Sequence, residues 1–163
     1  MKHLIFILLT VLLVVQTGGC VAENRSDVKD EVIFPVSSNE AKGSQVISLD
    51  EAGFAEKVFD FKNSKQWSYK GDRPAIIDFY ATWCGPCKRL APMLVEIQKE
   101  YGEKIQIYKV DAEKNRELAA AFGVTAYPTM LFIPMGADPA GAKGLLPKEE
   151  IERIIETFLK VTK

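Results

Sequence analysis

The chain has 163 residues, 47% of them hydrophobic and 26% charged, with a formal net charge of −1 at pH 7. Its 21 Lys and Arg are balanced by 22 Asp and Glu with no basic stripe, which argues against nucleic acid as a partner. There are three cysteines and a single histidine, His3, which lies in a segment expected to be removed; without it no imidazole remains for a Cys-His dyad, a His-ligated metal or a His general base.

In chain order, Lys2 supplies a positive start and residues 4–15 are apolar except for Thr10. That run is too short to cross about 30 Å of hydrocarbon as a helix, and it reads as a secretory signal over residues 1–19. The following Thr17-Gly18-Gly19-Cys20 resembles a bacterial lipobox, in which the cysteine is lipidated and becomes the new N-terminus. Thr17 departs from the aliphatic residue usual at that position. The alternative is an ordinary signal cut after small residues, leaving Cys20 as a free thiol or removing it; an unpaired thiol in an oxidising compartment is a liability, which favours lipidation. The expected location is therefore extracytoplasmic, at the periplasmic face of a membrane through a lipid anchor on Cys20.

Residues 20–45 are rich in Glu, Asn, Ser, Asp and Lys and read as a flexible tether, spanning on the order of 25 to 30 Å as a coil. One apolar patch, Val32-Ile33-Phe34-Pro35-Val36, interrupts it, and the sequence leaves open whether that patch docks or is idle. Residues 46–163 are enough to bury one core and form one domain.

Within this domain, residues 46–49 read as a short strand. Residues 50–61 read as a helix, with Phe54, Val58 and Phe61 at helical spacing and Asp50 as N-cap. Residues 75–81 form a strand, and residues 86–101 a helix with Leu90, Met93, Leu94, Ile97 and Tyr101 on one stripe and a kink at Pro92. Residues 105–110 alternate as a strand, and residues 113–122 form a short helix stopped by Gly123. Residues 129–133 are a strand, 134–141 a turn and 142–145 an edge strand. Pro147 opens a final helix that turns Ile151, Ile154, Ile155, Phe158 and Leu159 inward. Strands and helices in this order imply an α/β domain, a mixed central sheet covered by helices on both faces.

Chemistry concentrates at Trp83-Cys84-Gly85-Pro86-Cys87, two thiols three residues apart at a strand-to-helix junction. Backbone N–H groups at a helix N-terminus stabilise a thiolate at Cys84, and Cys87, one turn on, can reach its sulfur. A tetrahedral zinc site needs two more soft ligands and only Cys20 is left, so no metal or cofactor is expected and redox chemistry is the reading.

The region resembles thioredoxin along nearly its whole length. The match rests on Asp78-Phe79-Tyr80-Ala81-Thr82-Trp83-Cys84-Gly85-Pro86-Cys87-Lys88, Pro92, Lys109-Val110-Asp111, Phe122-Gly123-Val124, Tyr127-Pro128-Thr129 and Gly144-Leu145. The resemblance implies a thioredoxin fold, thiol-disulfide exchange, and a cis bond between Tyr127 and Pro128 beside the thiols. It also implies that the matching Asp78 and Lys109 lie close together, and that Trp83, Gly85, Pro86, Ala126, Tyr127, Pro128 and Gly144 face the client.

In the mechanism that follows, Cys84 attacks a client disulfide as thiolate and Cys87 resolves the mixed disulfide. Cys84, before the first helical turn, is expected to be the outer, exposed sulfur, with Trp83 as an apolar rim. Cys87 needs its proton removed without a histidine. Asp78 shares a strand face with Ile76 and Tyr80, where burial would raise its pKa towards neutrality, and Lys109, on a face with Ile105 and Ile107, would hold it lower than burial alone. Pro128 offers the sulfurs no N–H donor, leaving the backbone of Ala126 and Tyr127 to pair with an extended peptide; Tyr127 stands where the family usually has an aliphatic residue. Lys88 and Arg89 either add positive potential near Cys84 or are simply solvated.

The expected function is reduction of disulfides in extracytoplasmic client proteins by a monomer, recharged by a membrane-spanning thiol electron donor. Gly85-Pro86 between the cysteines resembles reducing thioredoxins more than oxidants. A disulfide-forming oxidant, a reductant for cytochrome c maturation, and a redox-silent peptide-binding module are the alternatives.

Overall fold

The computed structural model describes residues 45–163. The signal segment, Cys20, the tether and the Val32 to Val36 patch lie outside the described residues. The elements run β1 Ile47–Leu49, α1 Glu51–Lys57, β2 Ala75–Tyr80, α2 Gly85–Tyr101, a 3-10 turn Gly102–Lys104, β3 Gln106–Asp111, α3 Arg116–Ala121, β4 Thr129–Ile133, β5 Ala140–Lys143 and α4 Lys148–Thr157.

The five strands form one sheet in the order β1-β3-β2-β4-β5. β3 runs parallel to both β1 and β2, while β4 is antiparallel to β2 and β5. Alternation of side chains across the sheet divides the apolar residues into two layers. Phe54 of α1 and Leu118 and Ala119 of α3 pack on Ala75, Ile77, Phe79, Val110 and Ile133. On the other face, Leu90, Leu94, Ile97 and Tyr101 of α2 and Ile151 and Ile155 of α4 pack on Ile76, Ile107, Met130 and Phe132. The mixed sheet with helices on both faces is the architecture of a thioredoxin fold. β2 is the central strand, which explains why its six residues read as an apolar run rather than an alternation.

Three helices are shorter than their periodicity suggests; α4 ends at Thr157, with Phe158 as its C-cap and Leu159 beyond it. Asp50 caps α1 as expected, its Oδ1 accepting from the Gly53 N–H at 2.8 Å, but α1 ends at Lys57. A continued helix would place Phe59 about 140° around the axis from Phe54, off the buried stripe. Release after Lys57, with the N–H groups of Val58 and Phe59 both on the Phe54 carbonyl, lets Val58 and Phe59 bury together. α3 starts at Arg116 rather than 113, because Asp111 Oδ1 accepts from the N–H groups of Glu113 and Lys114 and holds those residues in a turn. The edge strand pairs two residues earlier than expected, at Ala140–Lys143.

α2 carries the site. It continues through Pro92, and its C-terminal half is fastened to β3 by Gln98, fully buried. The Gln98 amide accepts from Ile107 N–H at 2.6 Å and donates to the carbonyls of Gly102 and Ile105.

Candidate active site

β2 ends at Tyr80, and after a turn the chain enters α2 with Cys84 at the N-cap. Its backbone is extended there, and its sulfur accepts from the Cys87 N–H at 3.1 Å. A helix N-terminus leaves such donors without backbone partners, and here that of the third helical residue, Cys87, is aimed at Cys84 Sγ. Pro86 in the first turn has no N–H to satisfy and a φ suited to starting a helix. Cys84 and Cys87 are joined in a disulfide, S–S 2.10 Å, with their Cα atoms 5.3 Å apart.

One expectation is corrected. Cys84 is not an exposed sulfur: its residue is 3% exposed, against 4% for Cys87. Both pack with Ala81 beneath Tyr80 and Tyr127. The cover comes from a loop some forty residues downstream, and folding the Cys84 sulfur back over the helix N-terminus draws it under that loop.

The exposed member of the group is Trp83, at 67%. Its indole N–H donates to Glu113 Oε1 at 2.9 Å, and its ring meets Tyr127 edge-on at 6.0 Å. Glu113 is a site residue the sequence reading missed, because nothing in the spacing links a carboxylate after β3 to an indole thirty residues earlier. Gly85 is exposed and Pro86 half-buried beside it. Opposite, the Tyr127-Pro128 bond is cis, as the resemblance implies. Pro128 is buried and Ala126 exposed. The Thr129 hydroxyl donates to the Ala126 carbonyl, and the Gly144 N–H donates to the Pro128 carbonyl at 2.8 Å. Gly144 does so at φ +89°, a region that L side chains rarely adopt, and so fixes this loop from β5.

Behind the thiols, Asp78 is 4% exposed on the α2 face of β2, in direct register with Lys109 on β3. Its Oδ1 has no hydrogen-bond partner among the described residues. Burial pushes its carboxyl up to about 7, against a weaker downward pull from the Lys109 cation. Asp78, Lys109 and Cys87 line one cavity of about 170 Å³. A second, of about 330 Å³, shares Asp78, Ala91 and Lys109 and is lined further by Leu94, Val95, Val46 and Lys99. An ionisable group thus sits in a mainly apolar cavity that reaches the inner cysteine, an arrangement suited to moving a proton. Cys20 lies outside the described residues.

The thioredoxin family model matches residues 46–157. A protein named thioredoxin from Borreliella burgdorferi is 51% identical over 112 residues, which span 69% of this chain and 96% of that protein. Thioredoxin of Haemophilus influenzae is 36% identical over 116 residues, 71% of this chain and 99% of the relative. Thioredoxin of Bacillus subtilis is 39% identical over 84 residues, covering 52% and 81%.

Proposed function

Because the chain belongs to the thioredoxin family and is a thiol-disulfide oxidoreductase, we propose that it works as a reductant of disulfides in extracytoplasmic client proteins. The observation that carries the reading is the coupling of two features in one place. A sulfur capped by a helix N–H is bonded to a second cysteine, and that cysteine shares a cavity with a carboxyl poised near neutrality.

In the reduced protein, the Cys84 thiolate attacks one sulfur of the client disulfide. The client S–S bond breaks, a mixed disulfide forms, and the client's other sulfur leaves and takes up a proton. Asp78, in its ionised form, removes the Cys87 proton, directly or through water in the shared cavity, which is large enough to admit it. Cys87 then attacks Cys84 Sγ, the mixed disulfide breaks, and the second client sulfur leaves as a thiol once protonated. Two electrons have passed from the protein dithiol to the client, leaving the Cys84-Cys87 disulfide. A membrane-spanning thiol donor restores the dithiol. Lys109 tunes Asp78, and Trp83, Gly85, Pro86 and the Ala126-Tyr127-Pro128 loop, fixed by Gly144, form the client-facing rim.

Extracytoplasmic placement is supported by Lys2, the apolar residues 4–15 and the Thr17-Gly18-Gly19-Cys20 ending, with Cys20 as lipid anchor. The test of the function is insulin-disulfide reduction with dithiothreitol as donor. The protein should accelerate precipitation of the insulin B chain, and a Cys84→Ser variant should not. Failure of the parent protein to exceed dithiothreitol alone would leave a peptide-binding module as the reading.

A further inference from the structure

Residues 45–163 carry 17 Lys and Arg and 17 Asp and Glu, so no excess of either charge makes one face basic by default. Away from the thiols, several acids and bases form paired networks. Lys148 holds Glu96 and Glu100, Lys163 holds Glu100 and Glu152, and Lys62 bridges Glu51 and Glu117.

The cations beside the thiols join none of these networks. α1, α3 and α4 each have an acidic residue in the first turn, as the helix dipole favours, whereas the first turn of α2 has none. Lys88 and Arg89 follow Cys87 directly, both exposed, with no carboxylate in ion-pair range among the described residues. Neither cation is favoured by the helix dipole at this end of α2. A third unpaired cation comes from across the site. Lys143 is exposed on β5 in register with Thr129, and its Nζ donates to the neutral hydroxyl of Thr125 at 2.9 Å, one residue before Ala126. On the same side, Asp111 is paired with Lys114, and Glu113 accepts from the Trp83 indole, leaving one carboxylate charge at the rim against three cations.

We propose that Lys88, Arg89 and Lys143 select clients whose disulfides are flanked by acidic residues, drawing an acidic peptide segment across Cys84 between α2 and the Tyr127-Pro128 loop. This rests on the reductase reading and names its client class. The attraction acts before contact, raises the encounter rate, and fades as salt shortens its range from about 10 Å at 0.1 M to about 3 Å at 1 M.

The experiment compares two synthetic peptides with the same disulfide loop, one flanked by Asp and Glu and one by Lys and Arg, each reduced by the dithiothreitol-maintained protein. The readout is the ratio of their kcat/KM values, in which any change in Cys84 reactivity cancels. At low salt the acidic peptide should be preferred by roughly tenfold. That preference should shrink towards unity at 1 M salt, and an Arg89→Glu, Lys143→Glu double variant should lower or invert it. Equal reduction of both peptides by the parent protein at low salt, or a ratio that the double variant leaves unchanged, overturns the assignment while the reductase reading stands. Reduction of neither peptide removes the reductase reading itself.

Discussion

Asp78 should make the fold less stable as pH rises, and Asp78→Asn should relieve that. The carboxyl is 4% exposed, one oxygen has no partner, and its pKa lies at about 7 against an ordinary 3.8. Between those values the folded chain holds a proton that the unfolded chain has released, so stability falls with rising pH. The fall begins near pH 4 and is complete a little above 7. At about 1.4 kcal/mol per unit across about three units, it amounts to on the order of 4 kcal/mol. Asn has nearly the same shape and does not ionise. Asp78→Asn should therefore match the parent near pH 4 and exceed it by on the order of 4 kcal/mol at pH 8. Urea unfolding of the oxidised protein at pH 4, 6 and 8 measures the gap. A variant no more stable than the parent at pH 8, or a gap that does not widen between pH 4 and 8, would refute the burial argument. The same variant should turn over most poorly near neutral pH while Cys84 alkylates almost normally. Unchanged turnover would take Asp78 out of the mechanism.

Cys87→Ser should halt exchange at the mixed disulfide, so that covalent client adducts are recovered on non-reducing gels; their absence would remove Cys87 from the resolving role. Gln98→Leu strands the Ile107 N–H and the Ile105 carbonyl in the core, and should cost about 2 to 4 kcal/mol in urea unfolding. A loss below about 1 kcal/mol would show that those groups find other partners. Cys20→Ala should abolish incorporation of labelled palmitate and shift the protein from the membrane to the soluble extracytoplasmic fraction; retention of label would place the lipid elsewhere.

The sequence carried the parts of the site that sit on single elements. The thiols mark themselves at a strand-to-helix junction, and the burial of Asp78 shows in its strand, where Ile76, Ile77 and Phe79 surround a carboxylate. Contacts between distant segments were not legible. Cys84 lies under Tyr127, Trp83 is tied to Glu113, and Gln98 spans from α2 to β3. Each depends on how loops and helices meet once the sheet has formed, and no spacing rule encodes that. The ends of α1 and α3 shifted for a related reason. The burial of Phe59 and the Asp111 turn are tertiary and local polar demands that override helical periodicity.

The reduction potential of the Cys84-Cys87 pair tests the reductant reading most directly. It is measured by equilibrating the protein in defined redox buffers and counting free thiols by alkylation and mass. A dithiol built to reduce clients should lie near the thioredoxin value of about −270 mV. A potential near −120 mV, that of a strong oxidant, would contradict it and reverse the direction of electron flow.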